Sequence, residues 1–370
     1  DSTDIDIIVS LHRILTHFNG LYPDFHKKLI WATIYHSPDS FRELTKIKSS
    51  VSSEPKIREI FCVYSKEWLM LGKKFLYQYY PEKTWLLDES LIGHKFIGNP
   101  EYDDFKNIRS EDIKKKYNLP KNKEIFLYLP FPNYGVGRSG SNWEIAFSGF
   151  FVNTLRKKNG LLDHSKKENF LKNIARKLKY MSNIFFERSA RDTFLSGSNE
   201  VNLFRQIKRF CRKNNLYLVV KPRLKFPVPE IIKKESDLII WDDEIMDPAP
   251  IFKELLDVSR ISLGFCSYAV TSAVFSSVFY INVKLPKIFF VSDASRFWFP
   301  FKENWLLNFK GCVQSMSIQE IINEFSNADL KDFQTDTEKR KIYLKRFNKL
   351  TSFGSGKIFL KILRNEMEAR

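Results

Sequence analysis

The chain has 370 residues, more than one hydrophobic core ordinarily holds, so two domains are expected. Hydrophobic residues at 43% and charged residues at 28% exclude a wholly disordered or collagen-like protein. Lys+Arg total 60 against 43 Asp+Glu, and the resulting +17 points to a polyanionic partner: nucleic acid, an anionic membrane face or a phosphorylated substrate.

Short apolar runs bounded by polar or turn residues predict strands at 5–9, 29–35, 60–64, 125–129, 216–220, 238–241, 261–264 and 279–283. Amphipathic, Lys-rich segments at 67–79, 166–180, 200–214, 251–258 and 318–326 read as the helices between them. In 200–214, Val201, Phe204, Ile207 and Phe210 recur at helical spacing with Arg205, Lys208 and Arg209 between them. A last basic segment, 335–366, is helical with a Gly-containing break at 353–356. Alternating strands and helices give a parallel-sheet α/β architecture, and 34 Phe against 14 Gly give it an aromatic-rich core. The domain boundary falls in 94–123, where a Gly98-Asn99-Pro100 turn precedes a highly charged run.

One uncharged stretch, 261–283, is long enough to cross a bilayer. Its five Ser, with Thr271, Asn282 and Gly264, and its β-branched residues gathered at the two ends, read instead as strand, turn, short helix, strand. Cys62, Cys211, Cys266 and Cys312 are far apart and the six His are scattered. No zinc spacing or disulfide framework results, and a reducing, cytoplasmic compartment is expected. No signal-peptide pattern opens the chain.

Four places carry candidate chemistry. The run 134–140, YGVGRSG, follows the strand at 125–129 and places Gly135, Gly137 and Arg138 in a GxGxxG pattern. A poor helix start follows it, and no acidic residue ends a second strand about twenty residues on, against a dinucleotide site. A loop cradling phosphate through its N–H groups and a plain surface loop both remain open. Lys221 and Arg223 directly follow the strand 216–220, where an open parallel sheet binds its ligands. They are a phosphate clamp or an exposed basic pair beside Pro222. Beyond the strand ending at Gly264, the segment 265–273 (FCSYAVTSA) puts Phe265, Ser267, Thr271 and Ser272 at a helix start. These form an anion site or an ordinary N-cap, which are compatible roles. His36 ends the run 29–35 ahead of Ser-Pro-Asp, a placement suited to a general base and equally to a structural His. His12, His17, His26, His94 and His164 lack comparable placement. Asp103–Asp104 and Asp242–Asp243 are adjacent pairs rather than a metal-binding DxD, so no metal site is expected.

The order of these features resembles the GT-B glycosyltransferases, closest to the bacterial surface-polysaccharide branch with its CDP-glycerol glycerophosphotransferase and UDP-GlcNAc 2-epimerase relatives. The resemblance rests on KFIGNPEYDDF with its charged run, KPR after a central strand, DVSRISLGFCSYAVTSAVF, FGSGKIFLKIL near the end, and YHSPDSFREL beside His36. It covers about residues 30–365. KPR replaces the usual His-Pro, the donor-ribose Glu is absent from TSAVFSSV, and SSVFYINVKLP replaces the usual Gly-x-Pro.

The resemblance implies two Rossmann-like domains facing across a cleft. Residues 1–98 would be the acceptor-side domain, 99–123 the crossing, 124–350 the donor-binding domain, and 351–370 a helix packing back on the first. With only about 95 residues before the crossing, against on the order of 150 in such domains, the first is expected to be incomplete. The implied activity is metal-independent transfer of a sugar from a nucleotide-activated donor to a glycan or lipid-linked acceptor, with no other cofactor. Lys221, Arg223, Phe265, Ser267, Thr271, Ser272, Gly135, Gly137 and Arg138 would hold the donor, and His36 would be the base. The surplus of Lys would serve peripheral contact with an anionic membrane rather than nucleic acid, since the basic residues are spread over many helices without an RNP or zinc-finger motif. Rival readings are a CDP-polyol phosphotransferase, a 2-epimerase-like enzyme and a basic nucleic-acid-binding protein.

Overall fold

The computed structural model describes residues 6–13, 29–35, 39–47, 58–89, 92–107, 109–130, 200–222, 230–241, 250–285 and 297–369. These fall into two compact units, Asp1–Asn107 with Lys341–Arg370, and Ile108–Arg340. Each is built on a sheet of parallel strands flanked by helices, which is the α/β class read from the sequence.

The first unit holds β1 (Ile7–Ser10), β2 (Ile30–Ile34), α1 (Asp39–Leu44), β3 (Arg58–Val63), α2 (Lys66–Tyr79) and β4 (Gly93–Phe96). Its sheet runs β1-β2-β3-β4, every pair parallel. β2 and β3 are buried almost throughout, as strands covered on both faces must be. On one side Tyr35, Phe41, Phe61 and Trp68 pack ring on ring, with Tyr35 centred 5.2 Å from Phe41. On the other, Ile30, Ile60, Cys62 and Ile97 receive Ile358, Phe359 and Ile362 of α10 (Ser355–Glu368). That helix is fixed at both ends. Asp103 accepts the N–H groups of Gly354 (2.6 Å), Ser355 (3.3 Å) and Gly356 (2.7 Å) at its start. Near its end, buried Glu366 pairs with Arg58 at 2.5 Å and Lys95 at 3.0 Å. The GNPEYDDF and FGSGKIF segments, about 250 positions apart in sequence, therefore meet at Asp103.

The second unit opens with α3 (Ser110–Lys116) and β5 (Ile125–Tyr128), continuing through α4 (Glu200–Lys213), β6 (Tyr217–Val220), α5 (Glu230–Glu235) and β7 (Leu238–Ile239). Then come α6 (Pro250–Asp257), β8 (Ser259–Phe265), α7 (Ala269–Phe275), β9 (Phe279–Val283), β10 (Val313–Met316) and α8 (Ile318–Asn327). α9 (Thr337–Phe347) leads back to the first unit. The sheet order is β7-β6-β5-β8-β9-β10, all parallel. Counting strands within the unit, this is the 3-2-1-4-5-6 order of a dinucleotide-binding sheet. The core is aromatic: Phe210 stacks on Phe325 at 4.5 Å, and Phe333 meets both edge-on. α8 starts in a capping box, with Ser317 Oγ accepting the Glu320 N–H and Glu320 accepting the Ser317 N–H.

The uncharged stretch 261–283 is strand, turn, short helix and strand. Among the described residues no helix is long and apolar enough to cross a membrane.

Candidate active site

In a doubly wound sheet the chain reverses its direction of travel once, and the loops on either side of that point open a crevice at the carboxyl ends of the strands. Here the reversal lies between β5 and β8. Leu129 extends β5 by donating its N–H to the Leu263 carbonyl at 2.9 Å, and Lys221 extends β6 by donating to the Tyr128 carbonyl at 2.9 Å. Lys221, Leu129 and Gly264 thus stand level on three neighbouring strands. Lys221 and Gly264 are two strand spacings, roughly 10 Å, apart. Lys221 is buried, as a lysine at an open surface would not be. Gly264 is required by close approach: a Cβ there would overlap the Tyr280 hydroxyl.

The turn after β8 is built with unusual rigidity. Cys266 takes a left-handed φ of +40°, uncommon outside glycine. Its N–H donates to Asn282 Oδ1 at 2.8 Å, and Asn282 Nδ2 donates to Ser315 Oγ at 2.8 Å, which in turn donates to the Leu307 carbonyl. Asn282 is fully buried on β9, so one side chain links the ends of β8, β9 and β10. Burial pushes the Cys266 thiol up to about 12, and it donates to the Val283 carbonyl at 3.5 Å. The thiol is thereby tied to the end of β9.

The half-buried hydroxyls beyond this turn shape the start of α7. Ser267 Oγ accepts the Ala269 N–H at 3.2 Å, and Thr271 Oγ1 donates to the Tyr268 carbonyl at 2.9 Å. Ser272 is half-buried beside them. Phe265 lies in the core, 6.5 Å from Tyr128 ring to ring. The structure therefore brings Lys221, Ser267, Thr271 and Ser272 to one edge of one sheet. Arg223, Gly135, Gly137, Arg138 and His36 lie outside the described residues. Sequence reasoning missed Asn282 as the holder of the turn, although a lone Asn inside an apolar strand was the available signal. It missed also the contact of Tyr128 with Glu200, both fully buried, in which Tyr128 Oη donates to Glu200 Oε1 at 2.9 Å where α4 begins.

The first unit has a second polar construction beyond β1. Arg13 donates to both oxygens of Glu59 on β3, Nε to Oε1 at 2.9 Å and Nη2 to Oε2 at 2.7 Å, and Nη1 donates to the Leu86 carbonyl. Arg13 and Glu59 are both buried. Next to them, His12 Nδ1 lies 2.6 Å from Glu43 Oε2 on α1. The His12 carbonyl accepts from Trp31 Nε1 at 3.1 Å and Thr33 Oγ1 at 3.3 Å, both on β2. Among the described residues, no group of three or more His, Cys, Asp and Glu is placed to hold a metal ion.

No family model matches the chain, and no curated protein matches it in sequence. Its structure is similar to that of the wall teichoic acid polymerase TagF, at 12% identity over 93% of this chain and 69% of that one, with a TM-score of 0.46. A glycosyltransferase from Rickettsia africae ESF-5 is similar at 12% identity over 92% of this chain and 76% of that one, TM-score 0.39. UDP-GlcNAc 2-epimerase from Neisseria meningitidis gives 12% identity, the same coverages and a TM-score of 0.40.

Proposed function

We propose that this protein is a GT-B glycosyltransferase that moves a sugar from a nucleotide-activated donor to a surface-polysaccharide acceptor in bacteria. The observation that carries the reading is the 3-2-1-4-5-6 sheet whose reversal point is flanked by a rigid, hydroxyl-rich turn and by buried Lys221. In the reaction the acceptor hydroxyl oxygen bonds to the anomeric carbon, and the bond from that carbon to the donor phosphate oxygen breaks. The nucleotide leaves with the electron pair. Lys221, Arg223, the turn bearing Ser267, Thr271 and Ser272, and the loop with Gly135, Gly137 and Arg138 offset the phosphate charge. Phe265 supports that turn from the core. With cationic side chains in this role the reaction needs no resident metal. The acceptor loses its proton to a base, His36 by the family resemblance. The enzyme works in the cytoplasm, and exposed Lys357, Lys361 and Arg364 of α10 meet an anionic membrane face where lipid-linked acceptors reside.

Titration calorimetry with UDP, GDP, CDP and CMP tests the reading. One nucleoside diphosphate should bind, and Lys221→Met should weaken it by about tenfold or more. Binding of none of them overturns the proposal, while binding restricted to CMP and CDP moves it to polyol-phosphate transfer.

A further inference from the structure

We propose that Arg340 is a positioning residue for the donor site: by holding the far end of α7 it sets the hydroxyls that the near end offers to the donor phosphates. This inference rests on the transferase reading above and adds to it a residue that acts through α7 rather than on the substrate.

α7 is seven residues long and carries no basic residue in its last turn to hold the carbonyls that a helix leaves over at its end. Arg340, 65 positions beyond Phe275, supplies that cation. Its Nε donates to the Val274 carbonyl at 2.8 Å and its Nη2 to the Phe275 carbonyl. A planar guanidinium engaged at two successive carbonyls fixes direction as well as distance, which a lysine ammonium does not.

The arginine is itself mounted. It ends the first turn of α9, half-buried, and its N–H donates to the Asp336 carbonyl at 2.8 Å. Asp336 caps that helix, its Oδ1 accepting the N–H groups of Glu338 at 2.8 Å and Lys339 at 3.0 Å. The Asp336 N–H donates in turn to the Gly311 carbonyl at 2.7 Å. Gly311 has a φ of +88°, and a Cβ there would press on Asp336 and Lys339. It lies two residues ahead of β10. The turn at the other end of α7 reaches Ser315, inside that same strand, through Asn282. α7 is therefore suspended from β10 at both ends, and a helix this short has too few bonds of its own to keep a position unaided. Releasing the Arg340 end makes the binding-competent placement of Ser267, Thr271 and Ser272 only a fraction of the population, and donor affinity falls by that fraction.

The test is titration calorimetry with UDP, GDP and CDP on the wild type, Arg340→Met and Arg340→Lys, with hydrogen exchange of residues 269–275 read with and without the nucleotide that binds. Arg340→Met should weaken that nucleotide about tenfold, and Arg340→Lys, which keeps the charge without the fork, by about threefold. Exchange in α7 should be faster in free Arg340→Met and return to near the wild-type rate when nucleotide saturates it, because the affinity lost is spent on reordering the helix. Asp103→Ala, whose loss of stability arises in the first unit, should bind nucleotide as the wild type does and so gauges the effect of stability alone. Wild-type protein that binds no nucleoside diphosphate overturns the transferase reading and this assignment with it. Wild-type affinity in folded Arg340→Met sinks the assignment alone, as does wild-type affinity in Arg340→Lys if the Met variant does not fold. Affinity lost without faster exchange in α7 sinks it equally.

Discussion

The backbone N–H of Cys266 donates to Asn282 Oδ1 at 2.8 Å, so the left-handed residue that follows β8 is held from near the end of the next strand. A non-glycine residue in that conformation costs on the order of 1–3 kcal/mol unless its surroundings fix it. Asn282 supplies the fixing, and its other amide end is itself held by Ser315. The turn that leads to Ser267 and Thr271 is thus set by three strands of the sheet rather than by its own residues.

Asn282→Ala would strand the Cys266 N–H and take one hydrogen-bond partner from the buried Ser315 hydroxyl, which keeps its bond to the Leu307 carbonyl. The expected loss is about 3 kcal/mol in denaturant unfolding, with nucleotide affinity falling at least tenfold as the turn relaxes. Unchanged affinity in a folded Asn282→Ala protein would separate the turn from the donor site.

His94 on β4 gives the protein an acid sensitivity. Its side chain is only 5% exposed, neither ring nitrogen has a hydrogen-bond partner among the described residues, and Glu89 is 3.9 Å away. Burial, assisted by the nearby Lys73, lowers its protonation point from 6.5 to about 4. The unfolded chain therefore binds this proton at a higher pH than the folded one. Stability is full above about 6.5 and declines as pH falls towards about 4. Chemical denaturation at pH 7 and pH 4.5 should show that decline in the wild type. In His94→Phe it should be markedly smaller, and equal declines would remove His94 as the source.

Asp103 anchors α10 through three N–H groups, a charge-assisted cap at the positive end of a helix. Asp103→Ala should cost about 2 kcal/mol, at the upper end for a cap. The loss should appear first as faster hydrogen exchange in residues 355–368. Protection of α10 equal to that of the wild type would show that Glu366 alone holds the helix.

Much of the fold could be read from the chain because its central strands are apolar on both faces. LYLVV at 216–220 and the stretch 261–283 gave β6, β8, α7 and β9 nearly residue for residue. β4 and β10 escaped because GHKF and VQSM carry polar residues and sit at sheet edges, where burial no longer demands an apolar run. The placement of Lys221 and the Ser267 turn at the carboxyl ends of β6 and β8 was legible because it follows from strand direction. Asn282 and Arg340 were not, since each acts through a partner 16 or 65 positions away that no local pattern marks.

The return of residues 341–369 to the first unit has a consequence for biosynthesis. Among the described residues, the aromatic core cluster of the second unit is drawn from residues 126–333, so it can close before α10 is made. The first unit leaves Ile30, Ile60 and Ile97 uncovered until Ile358, Phe359 and Ile362 emerge. β2 and β3 are thus made well before the helix that covers them, and until it emerges they present an apolar surface of the kind that makes a nascent chain depend on chaperones.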